Sequence, residues 1–307
     1  MPREKKELVD ITNQLEIKNI LYQDEQKDNL KFTKTDMRFC TFERLGIKKA
    51  EFSEMRITQS IFDDVYARTA TFKDVDFTGT IFRNCNFDKA KFNTCKLWYC
   101  KFYNTSLPVD EIVKCLPPEA NLRKDIAQNL KMNYLSLGQK DNADIFLDIE
   151  INAGQEELYE IFKAKNEYYK KKYDTLDRIG AFFKYSFSLF SGFLWGYGHK
   201  VRKLLLSYSI MVLILSFCLF QCDAKFQVES IKTYQTTEPQ ASASNQDSIL
   251  KPELLASMEI ILCESVGYST KNTPINIQAK SIVLITRFLG IIYLGLLGAT
   301  LYRKIAR

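Results

Sequence analysis

The 307-residue chain contains a single histidine, His199, and carries no Gly-rich phosphate loop and no nucleophile–base pair. We therefore expect no enzyme activity, metal site or cofactor, and interpret His199 as an interfacial residue. The chain also lacks a strong excess of one charge. The formal net charge is +6 and the basic residues do not gather in one stripe, so no nucleic-acid partner is expected. The N-terminus is polar, which argues against a signal peptide.

Apolar residues recur at every fifth position, a period that fits neither an α-helix nor a flat strand. A fixed period indicates a repeat architecture. The sixteen positions, all large and apolar except Ala67, are Phe32, Met37, Phe42, Ile47, Phe52, Ile57, Phe62, Ala67, Phe72, Phe77, Phe82, Phe87, Phe92, Leu97, Phe102 and Leu107. A second series of mostly small residues stands two positions before each of these, so every unit offers one large and one small inward side chain.

Units such as Ala-Thr-Phe-Lys-Asp at 70–74 and Cys-Asn-Phe-Asp-Lys at 85–89 resemble those of the pentapeptide-repeat family. The resemblance implies a right-handed quadrilateral β-helix with one pentapeptide per face, about four coils and roughly 19 Å tall at the usual strand spacing. Four cysteines fall on the small inward positions and are interpreted as packing residues rather than zinc ligands: Cys40, Cys85, Cys95 and Cys100.

The chain beyond the repeat is predicted to be helical. Pro108 and Pro117–Pro118 end the repeat, and a connector follows with one helix from Leu122 to Leu137 and another from about Asp141 to the basic run at 170–172. Residues 176–195 are rich in aromatics and predict an amphipathic helix at a membrane interface, with an ordinary buried helix as the alternative.

Two apolar segments, 204–220 and 281–302, are long enough to cross a lipid bilayer. Basic residues precede the first and follow the second, which by the positive-inside tendency places both termini in the cytoplasm. We therefore expect a multi-pass protein of the inner (plasma) membrane, whose β-helix is free to meet a cytoplasmic protein partner. The polar segment 223–250 is expected to be a flexible outer loop.

Between the two apolar segments, Pro252 opens a predicted helix of about 12 residues, too short to cross a bilayer. The sequence Ser265-Val266-Gly267-Tyr268-Ser269 comes next, with Pro274 shortly after it. This order resembles the pore of two-transmembrane potassium channels, whose filter is Thr-Val-Gly-Tyr-Gly. The resemblance implies an extended filter that binds potassium as the permeant ion through backbone carbonyls and closes only as a homotetramer.

Other residues near this segment carry predictions of their own. Ser269 stands where the family has a second Gly, and Thr270 where it has Asp, so the ion selectivity stays open. Glu264 is expected either to form a cation-attracting ring or to pair with Arg287. Three glycines in the second apolar segment are expected to allow close helix packing or a gating bend: Gly290, Gly295 and Gly298.

The combined layout, over nearly the whole chain, resembles that of bacterial pentapeptide-repeat ion-channel proteins. The predicted division is an N-terminal segment (1–28), the β-helix (29–108), a helical connector (109–175), an interfacial helix (176–198) and a two-transmembrane pore domain (199–307). The function expected is a tetrameric cation channel, with potassium as the expected ion and the β-helix for docking or gating. Two alternatives remain: a membrane-anchored interaction module with a non-conducting pore loop, and a weakly selective depolarising pore acting as a stress or phage-defence effector.

Overall fold

The computed structural model describes residues 4–11, 16–198, 200–222, 226–228, 249–250, 254–268, 272–275 and 277–305. The chain divides into two compact units, Met1–Tyr185 and Ser186–Arg307, and the division falls within a helix.

The first unit begins with short strands that wind as a solenoid. They are β1 (Glu4–Lys5), β2 (Glu16–Lys18), β3 (Ile20–Gln23), β4 (Lys31–Thr33), β5 (Asp36–Arg38), β6 (Thr41–Gly46), β7 (Glu51–Thr58), β8 (Ile61–Tyr66), β9 (Thr71–Asp76), β10 (Ile81–Arg83), β11 (Lys91–Asn93) and β12 (Lys101–Tyr103). One parallel sheet has the order β1-β3-β6-β8-β10-β12, and the other has the order β11-β9-β7-β5-β2 with β4 also paired to β7. β7 joins two faces because it runs past a corner: Phe52 pairs with Phe32 on β4, and Ile57 pairs with Met37 on β5.

The register between neighbouring coils is twenty residues, as in the pairing of Phe42 with Phe62 and of Phe62 with Phe82. Twenty residues are four pentapeptides, so each coil has four sides and the predicted β-helix is confirmed. The regular register starts earlier than the sequence suggested, because Ile17 on β2 already pairs with Met37 twenty residues on. Residues within 1–28, assigned above to a separate N-terminal segment, therefore contribute strands to the solenoid.

Phenylalanine rings form two stacks inside the solenoid. Phe32, Phe52, Phe72 and Phe92 stack at centroid distances of 4.8, 4.8 and 4.9 Å. Tyr22, Phe42, Phe62, Phe82 and Phe102 stack at 5.3, 4.4, 5.1 and 5.0 Å. All nine are buried, so each coil adds two stacked rings to the core and none of their large apolar surface to the solvent-exposed area.

The small inward residues are buried as well, and their polar atoms bond to the backbone. Cys85, Cys95 and Cys100 direct their thiols to the carbonyls of Phe62, Phe72 and Phe77 at 3.5, 3.5 and 3.1 Å, each 23 residues earlier. Thr80 donates its hydroxyl in the same way to Ile57 O at 2.5 Å. The cysteines on these positions are therefore packed side chains held against the preceding coil, and burial raises the pKa of the Cys85 thiol to about 12.

Every corner of the solenoid places a residue in the left-handed backbone region. One residue in every five has a positive φ, in an unbroken series from Asn19 (57°) to Asn104 (48°) in which Gly79 is the one glycine. L-residues adopt this region at a cost of roughly 1–2 kcal/mol each, which the stacked core and the parallel ladders must offset.

Helices follow the solenoid, and the second of them covers its C-terminal end. They are α1 (Val109–Lys114), α2 (Ala120–Ser136), α3 (Lys140–Lys163), α4 (Glu167–Lys172) and α5 (Thr175–Trp195). The side-chain amide of Asn133 on α2 accepts from Thr105 N and donates to Thr105 O, both at 2.8 Å. Asn129 bonds to Phe102 N and O in the same way, at 2.7 and 3.3 Å. These two amides take the place of peptide groups of a further coil and satisfy the backbone of Phe102 and Thr105 on the last coil.

The connector contains the predicted helices, preceded by a short helix, α1, that was not predicted. α2 ends just before Gly138, which has a φ of 72°, as expected of a helix stop. The second helix does not run unbroken into the basic segment, because Ala164 adopts a left-handed φ of 46° and separates α3 from α4. The start of α5 packs on α3, with the Phe162 and Phe182 rings 5.1 Å apart.

The second unit continues with a 3-10 turn (Gly196–Gly198), α6 (Val201–Gln221), β13 (Phe226–Val228), β14 (Ile249–Leu250), α7 (Leu254–Ser265), β15 (Asn272–Pro274) and α8 (Ile277–Ile305). β13 pairs antiparallel with both β14 and β15. The prediction of one flexible loop over 223–250 is therefore wrong at 226–228 and 249–250, because both pieces form strands and Phe226 is buried.

Candidate functional site

Two helices of the second unit are long and apolar enough to cross a membrane. Their apolar stretches are Val201–Gln221 and Ile277–Tyr302, with mean hydropathies of 2.2 and 2.1. Only 33% and 22% of these stretches are buried within the chain, whereas the core helix of a soluble protein is mostly buried. Length and composition are thus compatible with membrane spans, and the exposed apolar surface needs a cover.

The C-terminal end of α7 lies against both long helices. Ser265, the last residue of α7, has its hydroxyl 2.6 Å from the hydroxyl of Tyr208 on α6. Ser265 itself donates to Leu262 O at 2.8 Å, so the Tyr208 hydroxyl is the donor in the pair. The Tyr208 ring meets that of Tyr293 on α8 edge-on at 5.5 Å. These two tyrosines hold the predicted filter residue Ser265 and were not singled out from the sequence, although a hydroxyl in an apolar run needs a partner.

The predicted filter begins as a compact turn rather than as an extended strand. Tyr268 N donates to Cys263 O at 2.9 Å and Gly267 N donates to Glu264 O at 3.2 Å. With Gly267 at a φ of 82°, this pair of bonds is a Schellman cap that ends α7. The structure therefore differs from the expected extended backbone at 265–268, because these amides satisfy the end carbonyls of α7. The side chains of Val266 and Tyr268 are exposed.

Glu264 and Arg287 form an ion pair, which is one of the two arrangements expected from the sequence. Arg287 Nε lies 2.6 Å from Glu264 Oε2. The Glu264 side chain is buried, with 4% of its surface exposed, while 52% of that of Arg287 is exposed. A buried carboxylate without its cation would be strongly destabilising, so this pair fixes α7 to α8 next to the predicted filter.

The three glycines of α8 differ in their surroundings. A Cβ on Gly290 would lie 1.9 Å from the backbone oxygen of Ser265, so only glycine lets the two helices come this close. A Cβ on Gly295 or on Gly298 would meet no atom of the described residues within 4 Å. Close packing is thus assigned to Gly290, and the expectation of packing or a gating bend at the other two stays a prediction.

A small apolar cavity of about 170 Å³ lies beside the Ser265 turn, with Leu204, Tyr208, Val266 and Tyr293 in its lining. Several sequence predictions fall on residues outside the described part of the chain: Ser269, Thr270, Pro252 and His199. Pro274 ends β15.

Comparison with known proteins concerns the repeats alone. Residues 70–107 match the family described as pentapeptide repeats, in eight copies. Trypsin-treated QnrB1, described as a plasmid-mediated fluoroquinolone resistance protein, aligns at 18% identity with a TM-score of 0.20, over 30% of this chain and 56% of that chain. Full-length QnrB1 aligns at 13% identity with a TM-score of 0.16, over 34% of this chain and 75% of that one. No curated protein matches the chain significantly. The five-residue period, the twenty-residue register and the family match together identify the N-terminal part of this chain as a pentapeptide-repeat β-solenoid.

Proposed function

We propose that residues 201–305 form the pore domain of a homotetrameric cation channel in a lipid bilayer. The observation that carries the proposal is the arrangement of α6, α7 and α8. A helix of 12 residues, too short to span, ends in Ser-Val-Gly-Tyr between two helices that are long enough to span. The contacts of Ser265 with Tyr208 and Gly290 support a fixed position for the end of that short helix.

Potassium is the proposed permeant ion, and the backbone carbonyls of 265–269 are its proposed ligands. In this proposal the two hydrogen bonds donated by Gly267 N and Tyr268 N open when four chains meet, so that the backbone of 265–269 extends and its carbonyls face the shared axis. The C-terminal end of α7 carries a partial negative charge, which favours a cation at the same place. The solenoid is proposed to lie on the cytoplasmic side of the inner membrane. Its proposed role is to dock a protein or to control the opening of the pore.

The turn at 265–268 favours a second candidate function, a membrane-anchored interaction module whose pore loop does not conduct. A Schellman cap needs no partner chain, and it already satisfies the N–H groups of Gly267 and Tyr268. In that case the solenoid performs the function and the two long helices are its tether. The weakly selective depolarising pore shares the channel layout and differs from it in its ion preference and in its need for regulated opening.

Planar-bilayer recording of the purified chain, with potassium on one side and sodium on the other, separates these candidates. A reversal potential near that of potassium supports the selective channel, one near zero supports the unselective pore, and the absence of current supports the anchor. Ser269→Gly should increase the preference for potassium by making the segment more like the family pattern, whereas Gly267→Ala should abolish or alter conduction because Ala disfavours the positive φ.

Ser209→Ala is the matched control, since Ser209 is exposed on α6 and its hydroxyl bonds within its own helix, to Leu205 O. If Gly267→Ala and Ser269→Gly both conduct like the parent while Ser209→Ala is also unchanged, ions do not pass along this segment and the channel proposal fails at its filter.

A further inference from the structure

A cavity of about 460 Å³ lies within the first unit, where the last coils of the solenoid meet α2, α3 and α4. Its lining includes three tyrosines, Tyr99, Tyr168 and Tyr169, and two carboxylates, Glu119 and Glu160. This volume is within the range of small-molecule sites. No prediction from the repeat pattern or the proposed pore uses this cavity.

The aromatic part of the lining offers ring faces at different angles. Tyr168 and Tyr169 are nearly perpendicular, with centroids 5.3 Å apart and planes at 69°. Tyr99 comes from a left-handed corner of the solenoid and is 65% exposed, so its ring extends away from the coil. The faces of aromatic rings are negative and attract cations. One such contact already exists here, because Lys172 Nζ lies 5.0 Å from the centre of the Tyr168 ring.

The carboxylates add negative charge that is only partly neutralised. Glu160 is buried, with 9% exposed, and pairs with Lys165 Nζ at 3.1 Å. Glu119 forms no ion pair and no side-chain hydrogen bond with any residue that the structure describes, and no Lys or Arg is part of the lining. Burial, and then the nearby Glu160 and Glu157, raise the pKa of Tyr169 to about 12, so this ring carries a neutral hydroxyl next to negative charge.

We propose that this cavity binds a small organic cation with a quaternary or alkylated ammonium group. Such a group has a low charge density and an apolar surface, which suits ring faces with a carboxylate at longer range. Ca²⁺ or Mg²⁺ would instead require six or more closely placed oxygen ligands, and a lining rich in tyrosine rings does not provide them. The site lies wholly within residues 99–169, so it is independent of whether residues 201–305 conduct ions.

The test is calorimetric titration of the purified full-length chain, in a maltoside detergent that carries no ammonium group, with choline and with tetramethylammonium. Both probes should bind saturably. 3,3-Dimethylbutan-1-ol, which has choline's shape without its charge, should bind at least tenfold more weakly. Tyr168→Leu and Glu119→Gln should each weaken choline binding by about tenfold, the size expected when roughly 1.4 kcal/mol of attraction is lost.

Tyr103→Leu is the matched control, because Tyr103 is an exposed tyrosine on β12 that does not line the cavity. Its choline affinity should equal that of the parent chain. Circular dichroism of each variant establishes that the solenoid is intact. The proposal is overturned if the parent binds neither probe, if the neutral isostere binds as tightly as choline, or if folded Tyr168→Leu and Glu119→Gln variants retain parental affinity. This last outcome would place the cation elsewhere, for instance in the proposed pore.

Discussion

At the residue scale, backbone strain recurs at the left-handed corner of each pentapeptide. Asn and Asp tolerate positive φ better than other non-glycine residues because their short polar side chains bond locally. Asn84 and Asp74 are suited to their corners in this way, whereas Thr69 and Thr94 are β-branched and poorly suited to theirs. The corners are therefore places where stability can be gained without changing the core.

Thr94→Asn should stabilise the solenoid by about 0.5–1 kcal/mol, because it relieves strain at a φ of 56° on an exposed corner. Thermal unfolding followed by circular dichroism measures the change. Thr71→Asn is the control: the same substitution on strand β9 should lower stability, since Asn is disfavoured in strands. Equal effects at the two sites would show that backbone strain is not the cause.

Buried tyrosines should make the first unit unstable at high pH. Burial raises the pKa of Tyr22 to about 12 from its usual 10, with further contributions from the Cys40 thiol and Glu25. A raised folded-state pKa means that the unfolded state loses its proton first. The stabilisation is therefore complete below pH 10 and is lost as pH rises towards 12.

Urea unfolding between these pH values should show the unfolding free energy falling, by about 1.4 kcal/mol per pH unit for each such tyrosine. Tyr22→Phe should reduce the slope by one such step, and Tyr103→Phe, on an exposed ring, serves as the comparison. An unchanged slope in Tyr22→Phe would mean that this hydroxyl is not desolvated in the folded protein.

At the element scale, the contact between α7 and α8 depends on the absence of a Cβ atom at Gly290. Gly290 allows the backbone of Ser265 to approach, while Glu264 and Arg287 hold the same two helices together one turn away. The two features reinforce each other, since an ion pair of 2.6 Å requires the helices to stay close.

Gly290→Ala should destabilise the second unit by about 1–3 kcal/mol, because the added methyl group must push apart two backbones rather than a flexible side chain. Gly295→Ala on the same helix should cause no loss. Thermal unfolding in detergent compares the two variants. Similar losses in both would point to a general effect of glycine replacement on α8.

The period of five predicted the solenoid because a coil places one large residue on each face. The first coil was missed because a single residue interrupts the apolar series. Lys27 stands where the series requires an apolar residue, and its amine instead bonds to Glu7 and to Leu8 O. The turn at 265–268 could not be predicted because Gly267 suits both a filter and a helix cap. The contact between Tyr208 and Ser265 joins residues 57 apart, and no periodicity in the sequence relates them.

At the scale of the whole molecule, the two units differ in how much apolar surface they expose to solvent. The solenoid buries its large apolar side chains internally, whereas α6 and α8 expose theirs. α5 also exposes a row of rings at Phe183, Phe187 and Phe190, spaced as one helix face. We propose a bilayer as the cover for these surfaces, with both termini on the cytoplasmic side.

Cysteines introduced by Lys5→Cys and by Ser242→Cys should report this topology in intact cells. An impermeant thiol reagent should label the second site and not the first, after subtraction of the parent chain, in which Cys218 is exposed. Labelling at residue 5 alone would reverse the orientation, and labelling of both sites would remove the membrane from the proposal.

The amides of Asn129 and Asn133 also affect how copies of this protein associate with one another. A bare end of a parallel sheet is a template on which another molecule can add its first strand, and a column with repeating geometry would then grow head to tail into a fibril. The two side-chain amides occupy hydrogen-bonding groups that an added strand would need. Strand addition at the C-terminal end of the solenoid is thus opposed at these positions, and head-to-tail growth stops there.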